Sequence, residues 1–316
     1  MTNDSSTRDS ASETDSKKQQ QADDSNVKKK READEREPTE TEKSLTEEER
    51  TVVAEKGKLS ALTIYSIILR EGEEELRRPK TSLWWSGVAA GIGISTSVLA
   101  EGVIRTGLGS DFPYLAILES LGYSFGFVLV IMCRLQLFTE NTITAVLPVL
   151  ASPSRNKYFC MARLWAIVFA ANMVGTFFTA LLAVHGGILS SELLSSIMEI
   201  SRHAAELSPT TAIVRGIPAG FLIAALVWML PSSKGSEVIV IILFTWLIAA
   251  AEFTHVVAGA NEMFILVLAG EIGIVGAFSN YILPTLVGNI VGGTGLFAML
   301  AYGQIKMEMP DHSATK

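Results

Sequence analysis

From about residue 80 the chain runs through apolar stretches near 83–105, 114–134, 163–186, 212–231, 236–268 and 278–303. Each is long enough for a membrane-spanning helix, which needs ~20 residues, so the pattern predicts an all-α membrane protein with six transmembrane helices. Two of the stretches do not read as plain helices. The stretch 236–268 is too long, and its middle, AAAEFTHVVAGANEMF (249–264), carries Glu252, Thr254 and His255. The apolar run that begins at 114 continues to 150 and is interrupted at RLQLFTENT (134–142). Polar and ionisable groups in the bilayer interior are costly and by default mark pathways. A lone buried histidine is more often a satisfied packing residue, but His255 stands at an interruption.

Ahead of these stretches the pattern is different. Residues 1–58 mix Asp, Glu, Lys and Arg, and apart from alanines the first fifty hold only Met1, Val27 and Leu45 as apolar side chains. Such a segment cannot bury enough surface to offset its ordering entropy and is expected to be a disordered, charged cytoplasmic tail. Acidic residues interleave with KKKRE, which argues against a nucleic-acid arm. SLTEEER offers a capping box at Ser44 and Glu47. Residues 59–80 then carry Leu62, Tyr65, Leu69 and Leu76 at spacings of three and four. This predicts an amphipathic helix that lies on the inner membrane face or packs on the rest of the protein. The channel domain is expected over 81–305 and a short cytoplasmic tail over 306–316.

The charge balance fixes the expected topology. A hydrophobic share of 48% coexists with a net charge of −7 because the charges collect at the ends. Arg70, Arg77, Arg78 and Lys80 precede the first span, Arg155, Lys157 and Arg163 separate the second from the third, Lys234 follows the fourth, and Lys306 follows the sixth. The other side offers little beyond Arg105 and Arg202, so both termini are expected in the cytoplasm. No apolar core follows Met1, so a cleavable signal peptide is not expected. Cys133 and Cys160 imply no disulfide framework, and His185, His203, His255 and His312 show no ligand spacing. No metal or other cofactor is expected.

The two halves echo each other. Phe138-Thr139 and Phe253-Thr254 lie 115 residues apart, and NMVG (172–175) and NIVG (289–292) lie 117 apart. With three spans per half, the second half must insert with opposite orientation, as in transporters built from inverted repeats whose broken helices meet at the midplane. On this reading Asn172, Gly175, Asn289 and Gly292 are repeat-structural positions, and Thr139 and His255 stand at corresponding breaks. Gly87/Gly91, Gly122/Gly126, Gly216/Gly220 and Gly288/Gly292 fit GxxxG and predict close helix contacts.

GYSFGFVLVIMCRLQLFTENT, the paired Asn-x-Val-Gly motifs, GFLIAALVW and EFTHVVAGANEMF followed by LPTLVGNIVGG together resemble the formate/nitrite transporter family over roughly residues 60–305. The resemblance is closest to its poorly characterised bacterial inner-membrane branch. It implies an aquaporin-like fold with broken helices two and five, a homopentamer with one pore per protomer, and transport of small weak-acid anions such as formate or nitrite across the plasma (inner) membrane. The family's central histidine maps onto His255, with Thr139 facing it, and Tyr123, Phe127, Leu137, Phe138 and Ile248 map onto hydrophobic slits. Several positions depart from the family pattern. Arg134 and Glu252 occupy glycine positions, Gln136 an acidic one, Glu140 a small one, Thr254 an acidic one, and Gly259 and Gly220 asparagine ones. Arg134, Glu140 and Glu252 are read as a possible buried charge network bracing the pore.

Three other readings compete. GYSFG satisfies G-x-S-x-G, which would pair Ser124 with His255 in an intramembrane serine protease, but a nucleophile elbow needs a strand–turn–helix. An aquaporin-like channel for a neutral or proton-coupled solute fits the same fold. A receptor or scaffold built around the charged tail is the third.

Overall fold

The computed structural model describes residues 59–306, and among these every regular element is helical. The expectations for the 1–58 tail, including the Ser44–Glu47 capping box, and for residues 307–316 lie outside the described residues. The elements are α1 (Ala61–Arg77), α2 (Lys80–Leu108), α3 (Leu115–Met132), α4 (Asn141–Ala151), α5 (Arg155–His185), α6 (Ser191–Ala205), α7 (Pro209–Met229), α8 (Glu237–Ala250), α9 (Val256–Leu268) and α10 (Ile274–Lys306). Serine side chains set four of the starts. Ser60, Ser154, Ser190 and Ser208 each accept a backbone N–H three residues on, at 3.1–3.2 Å, which satisfies one of the donors a helix N-terminus leaves free.

Five helices, namely α2, α3, α5, α7 with its short extension to Ser232, and α10, are long and apolar enough to cross a bilayer. The helices α8 and α9, of 14 and 13 residues, are each too short. A helix of that length rises ~20 Å against a hydrocarbon thickness of ~30 Å, so the two make the fifth crossing jointly, end to end. In the second crossing α3, itself long enough to span, is followed after a break by the shorter α4. The result is the six-span inverted repeat, with spans two and five broken. The outer faces expose large apolar side chains, among them Phe125, Phe159, Leu243, Val275 and Leu300, as a bilayer-embedded surface requires.

The two halves are locked by backbone-to-backbone contact at small residues. A Cβ on Gly175 would collide with the Val88 carbonyl oxygen and the Cα of Gly91. One on Gly292 would collide with the Ile217 carbonyl and the backbone of Phe221. These are the α2–α5 and α7–α10 crossings, equivalent places in the two halves. The helix α10 carries π-helical stretches at Ala277–Ile282 and Val291–Ala298, on either side of the turn that presents Asn289.

The helix α1 packs on the protein, the second of the two readings offered by its pattern. Its buried stripe is Ile64, Tyr65, Ile68, Gly72 and Leu76, so Leu62 and Leu69 sit only at its half-buried edge. Ile64, Tyr65 and Ile68 join Ile143, Val146, Leu147, Ala298 and Ile305 in one apolar cluster. Gly72 lies against the Thr144 carbonyl and Pro148 of α4. The amphipathic α6, on the opposite side of the domain, has no counterpart among the sequence expectations. It docks Leu193 and Ile197 on Gly102 of α2.

Both α3 and α8 end in the same backbone device. Arg134 N–H donates to Ile131 O (3.0 Å) and Leu135 N–H to Val130 O (3.0 Å); Glu252 N–H donates to Ala249 O and Phe253 N–H to Ile248 O, both at 2.9 Å. This is the Schellman closure. It places Arg134 (φ 53) and Glu252 (φ 54) in the left-handed region, where these two are the only non-glycine residues among those described. A side chain there costs ~1 kcal/mol or more relative to glycine. Arg134→Gly is therefore expected to be more stable than Arg134→Ala by about 1 kcal/mol, with the same order at Glu252. Melting temperatures of the purified variants check this.

Candidate functional site: two helix breaks and the cavity they bound

Each break is held by one asparagine. Asn172 of α5 accepts from Phe138 N–H (2.9 Å) and donates to Gln136 O (2.9 Å) and Gly87 O (2.8 Å). Asn289 of α10 accepts from Val256 N–H and donates to Thr254 O and Gly216 O, all at 2.9 Å. Both asparagines are fully buried. Each clamps the donor and the acceptor that flank the central residue of its break, and ties them to the neighbouring helix.

This hydrogen-bond pattern corrects the register of the repeat. Gln136 corresponds to Thr254 and Phe138 to Val256, so the counterpart of His255 is Leu137, not Thr139. Arg134 corresponds to Glu252 by the same register. Matching Phe-Thr to Phe-Thr in the sequence aligns the letters rather than the backbone closures.

His255 is the N-cap of α9, and its Nδ1 accepts the Ala258 N–H at 3.3 Å. A ring whose Nδ1 accepts carries its proton on Nε2. That Nε2–H therefore points at Thr139 Oγ1, 2.7 Å away, and donates to it. Both residues are buried, at 1% and 0% exposure. The Phe127 ring stands edge-on to the imidazole with centroids 4.9 Å apart and stacks obliquely on Tyr123 at 5.1 Å. Leu137 and Ile248 are also fully buried in this core. Phe138 turns toward α5, between Trp165 and Phe169. Ser124 lies mid-helix in α3 and donates to Ile242 O, so it makes no dyad with His255.

A cavity of about 580 Å³ leads from the α6 side down to His255. Its lining includes Tyr123, Thr254, Gly259 and Tyr281 near the imidazole and a ring of charged residues farther out. Arg105 bonds Glu119 (2.8 Å) and Glu199 (2.6 Å), and Arg215 bonds Glu252 (2.6 Å), with His203 3.6 Å from the same carboxylate. On the rim, Arg202 grips Glu271 at 2.6 and 2.8 Å. Arg105 holds the Glu199 carboxyl below the usual carboxylate range, and Arg202 does the same to Glu271.

Arg134, Glu140 and Glu252 do not form one network. Arg134 is exposed and pairs with Glu71 of α1, Glu140 is half-buried near that same end with its Oε1 enclosed and unpartnered, and Glu252 is half-exposed at the α6 side. The inverted repeat is the physical reason, because it puts the closures of α3 and α8 on opposite sides of the domain. Sequence reasoning also missed Glu101 of α2 and Glu262 of α9, both 7% exposed and both lining the cavity. The signal was present, since each is an acid inside a predicted span.

Six crossings in two inverted halves, each broken at an asparagine-clamped backbone and joined at a buried Thr–His contact, define a membrane channel or transporter. The chain belongs to the formate/nitrite transporter family, whose profile, described as "Formate/nitrite transporter", matches residues 62–303. It is 40% identical over 249 residues to the inner membrane protein YfdC of Escherichia coli strain K12, a match covering 79% of this chain and 80% of the relative. It is 23% identical over 261 residues to the formate channel FocA of the same organism, covering 72% and 88%. Among solved structures, a pentameric formate channel with formate bound shares its fold with a TM-score of 0.61 at 24% identity, over 72% of this chain and 98% of that one. An FNT family ion channel gives 0.67 at 18% identity, over 78% and 99%. The protein is accordingly a multi-pass plasma-membrane protein.

Removing either clamp orphans buried backbone groups at ~1–3 kcal/mol each. Asn172→Ala and Asn289→Ala are each expected to lower the melting temperature steeply. The double variant is expected to yield no monodisperse protein on size exclusion.

Proposed function

We propose that this chain is the protomer of a homopentameric channel that carries small monovalent weak-acid anions, of which formate is the first choice and nitrite the next, across the inner membrane. Both termini are cytoplasmic in this reading, which rests on the basic residues that collect on the α1 side. The observation that carries it is the His255 Nε2–H donated to Thr139 at a buried wall formed with Phe127, Leu137 and Ile248. A bare carboxylate cannot cheaply enter such a wall. With its oxygen accepting from His255, Thr139 has its own hydroxyl proton to offer a solute. Imidazole is the side chain best placed to exchange a proton near neutral pH. A proton entering from the aqueous cavity that reaches His255 charges the ring. The ring passes one proton on at the Thr139 contact and is neutral again, and the formate that receives it crosses as the neutral acid. Phe127, Tyr123, Leu137, Phe138 and Ile248 supply the dry surroundings. The fold shared with a pentameric formate channel and the similarity to FocA support both the pentamer and the anion class.

One observation favours a second reading, an aquaporin-like conduit for a neutral or proton-coupled solute. The cavity lining carries Glu101, Glu119, Glu199, Glu206, Glu252 and Glu262 against Arg105, Arg202 and Arg215. All three arginines are already engaged by carboxylates. An anion approaching from the α6 side meets an acidic wall.

Formate uptake into proteoliposomes across a pH gradient separates the two. Uptake should rise as the outside is acidified, and His255→Ala should lower it at least about tenfold, in line with the loss of a positioned proton-transfer group. Absence of formate flux in protein verified as folded and oligomeric removes the formate assignment and leaves the neutral-solute conduit.

A further inference from the structure

Glu101 and Glu262 come from helices in different halves of the repeat and line one cavity above His255. Each is more than nine-tenths buried. Oε2 of Glu101 is sealed from solvent and has no hydrogen-bond partner. Among the described residues neither carboxyl is in a salt bridge. Arg105, one turn beyond Glu101 on α2, is occupied by Glu119 of α3 and Glu199 of α6. Arg215 of α7 is occupied by Glu252. Other polar side chains in the same lining include Glu119, Ser120 and Tyr123 of α3, Thr254 and His255 at the break before α9, and Tyr281 of α10, with Glu119 engaged by Arg105. Gly259 makes the arrangement possible, since a Cβ there would strike the Tyr281 ring and its hydroxyl. The Tyr281 hydroxyl is thereby admitted to the same corner of the cavity.

The corner is rich in oxygen acceptors, poor in donors, and without a compensating cation. Acidic side chains at membrane depth pair with a counter-charge or mark an ion path, and leaving a carboxylate uncompensated in such surroundings is costly. No hydrogen bond joins the two carboxyls, so they are not a proton-sharing pair in direct contact. The acid majority of the lining raises the local concentration of small cations at the mouth. A divalent ion takes six or more oxygen ligands, and among the described residues no three acidic, histidine or cysteine side chains gather to hold one.

We propose that Glu101 and Glu262, with the hydroxyls of Tyr123 and Tyr281, form a binding site for a small monovalent cation of ammonium or alkali-metal size. The cation reaches the site through the α6-side cavity. An occupied site neutralises the wall directly above His255, which is where the acidic lining otherwise opposes an anion.

The test is equilibrium binding of radiolabelled methylammonium to the purified full-length chain, in the absence of formate, with unlabelled ammonium, potassium and sodium as competitors. Saturable binding is expected, and the competitor that displaces it identifies the ammonium or alkali-metal class. Glu101→Gln and Glu262→Gln should each raise the half-saturation concentration at least about tenfold, as loss of one charged partner implies. The double variant should show no saturable binding. Glu271→Gln, whose carboxyl lies outside the cavity, should bind as wild type does. Lack of saturable binding in wild type that is monodisperse and melts normally would sink the proposal. So would binding that persists in the double variant. If instead no cation binds but a pH jump on a supported membrane gives a charge displacement that the double variant loses, the carboxyls hold a proton and the cation site is wrong. None of these readouts involves formate, so failure here leaves the transport reading standing, and a failure of formate flux leaves the cation site standing.

Discussion

A backbone that leaves its helix inside a bilayer has no water to satisfy its amides and carbonyls. Everything at the centre of this protein depends on how that constraint is met. At each break one buried asparagine takes one N–H and gives to two carbonyls, one of them on an adjacent helix. The clamp fixes the break and the helix crossing together. Gly175 and Gly292, three residues beyond the clamps, then let the helix backbones close on each other. The Thr139–His255 contact is possible only because both breaks are held at the same depth.

Symmetry of scaffold does not extend to chemistry. Leu137 and His255 occupy equivalent places, and so do Arg134 and Glu252. The first pair gives the site an apolar residue on one side and an imidazole on the other. The second pair shows that the left-handed closure tolerates charged side chains where the family resemblance leads one to expect glycine. Each of these side chains projects to its own side of the domain, Arg134 toward Glu71 and Glu252 toward Arg215.

Much of this was legible in the sequence, and the reasons divide cleanly. The six spans follow from hydropathy, which is a sum over many residues and so robust to any one of them. The breaks were visible because a bilayer tolerates polar residues in a long apolar run mainly where the helix is interrupted or a path runs through it. The clamps showed as a repeated Asn-x-Val-Gly. The register of the repeat was not legible, because it is set by which carbonyls a helix end closes on, and a two-letter match carries no such information. The helix α6 escaped because an amphipathic helix of 15 residues falls below the length that marks a span. Glu101 and Glu262 were passed over, although each is an acid inside a predicted span, because they acquire a shared meaning only when α2 and α9 are brought together. The supposed Arg134–Glu140–Glu252 network failed for the converse reason, since neighbours in motif order are separated by inversion.

The cavity that reaches His255 from the α6 side is lined by carboxylates, only some of them held in ion pairs, while the other face of the same histidine contact is built from Leu137, Phe138 and the α4 segment that α1 covers. A solute travelling one way therefore meets selection by charge first and dehydration second, and one travelling the other way meets them in reverse order. Equal and opposite gradients need not drive equal flows through such a path, so a chain folded as two inverted halves has the makings of a rectifier.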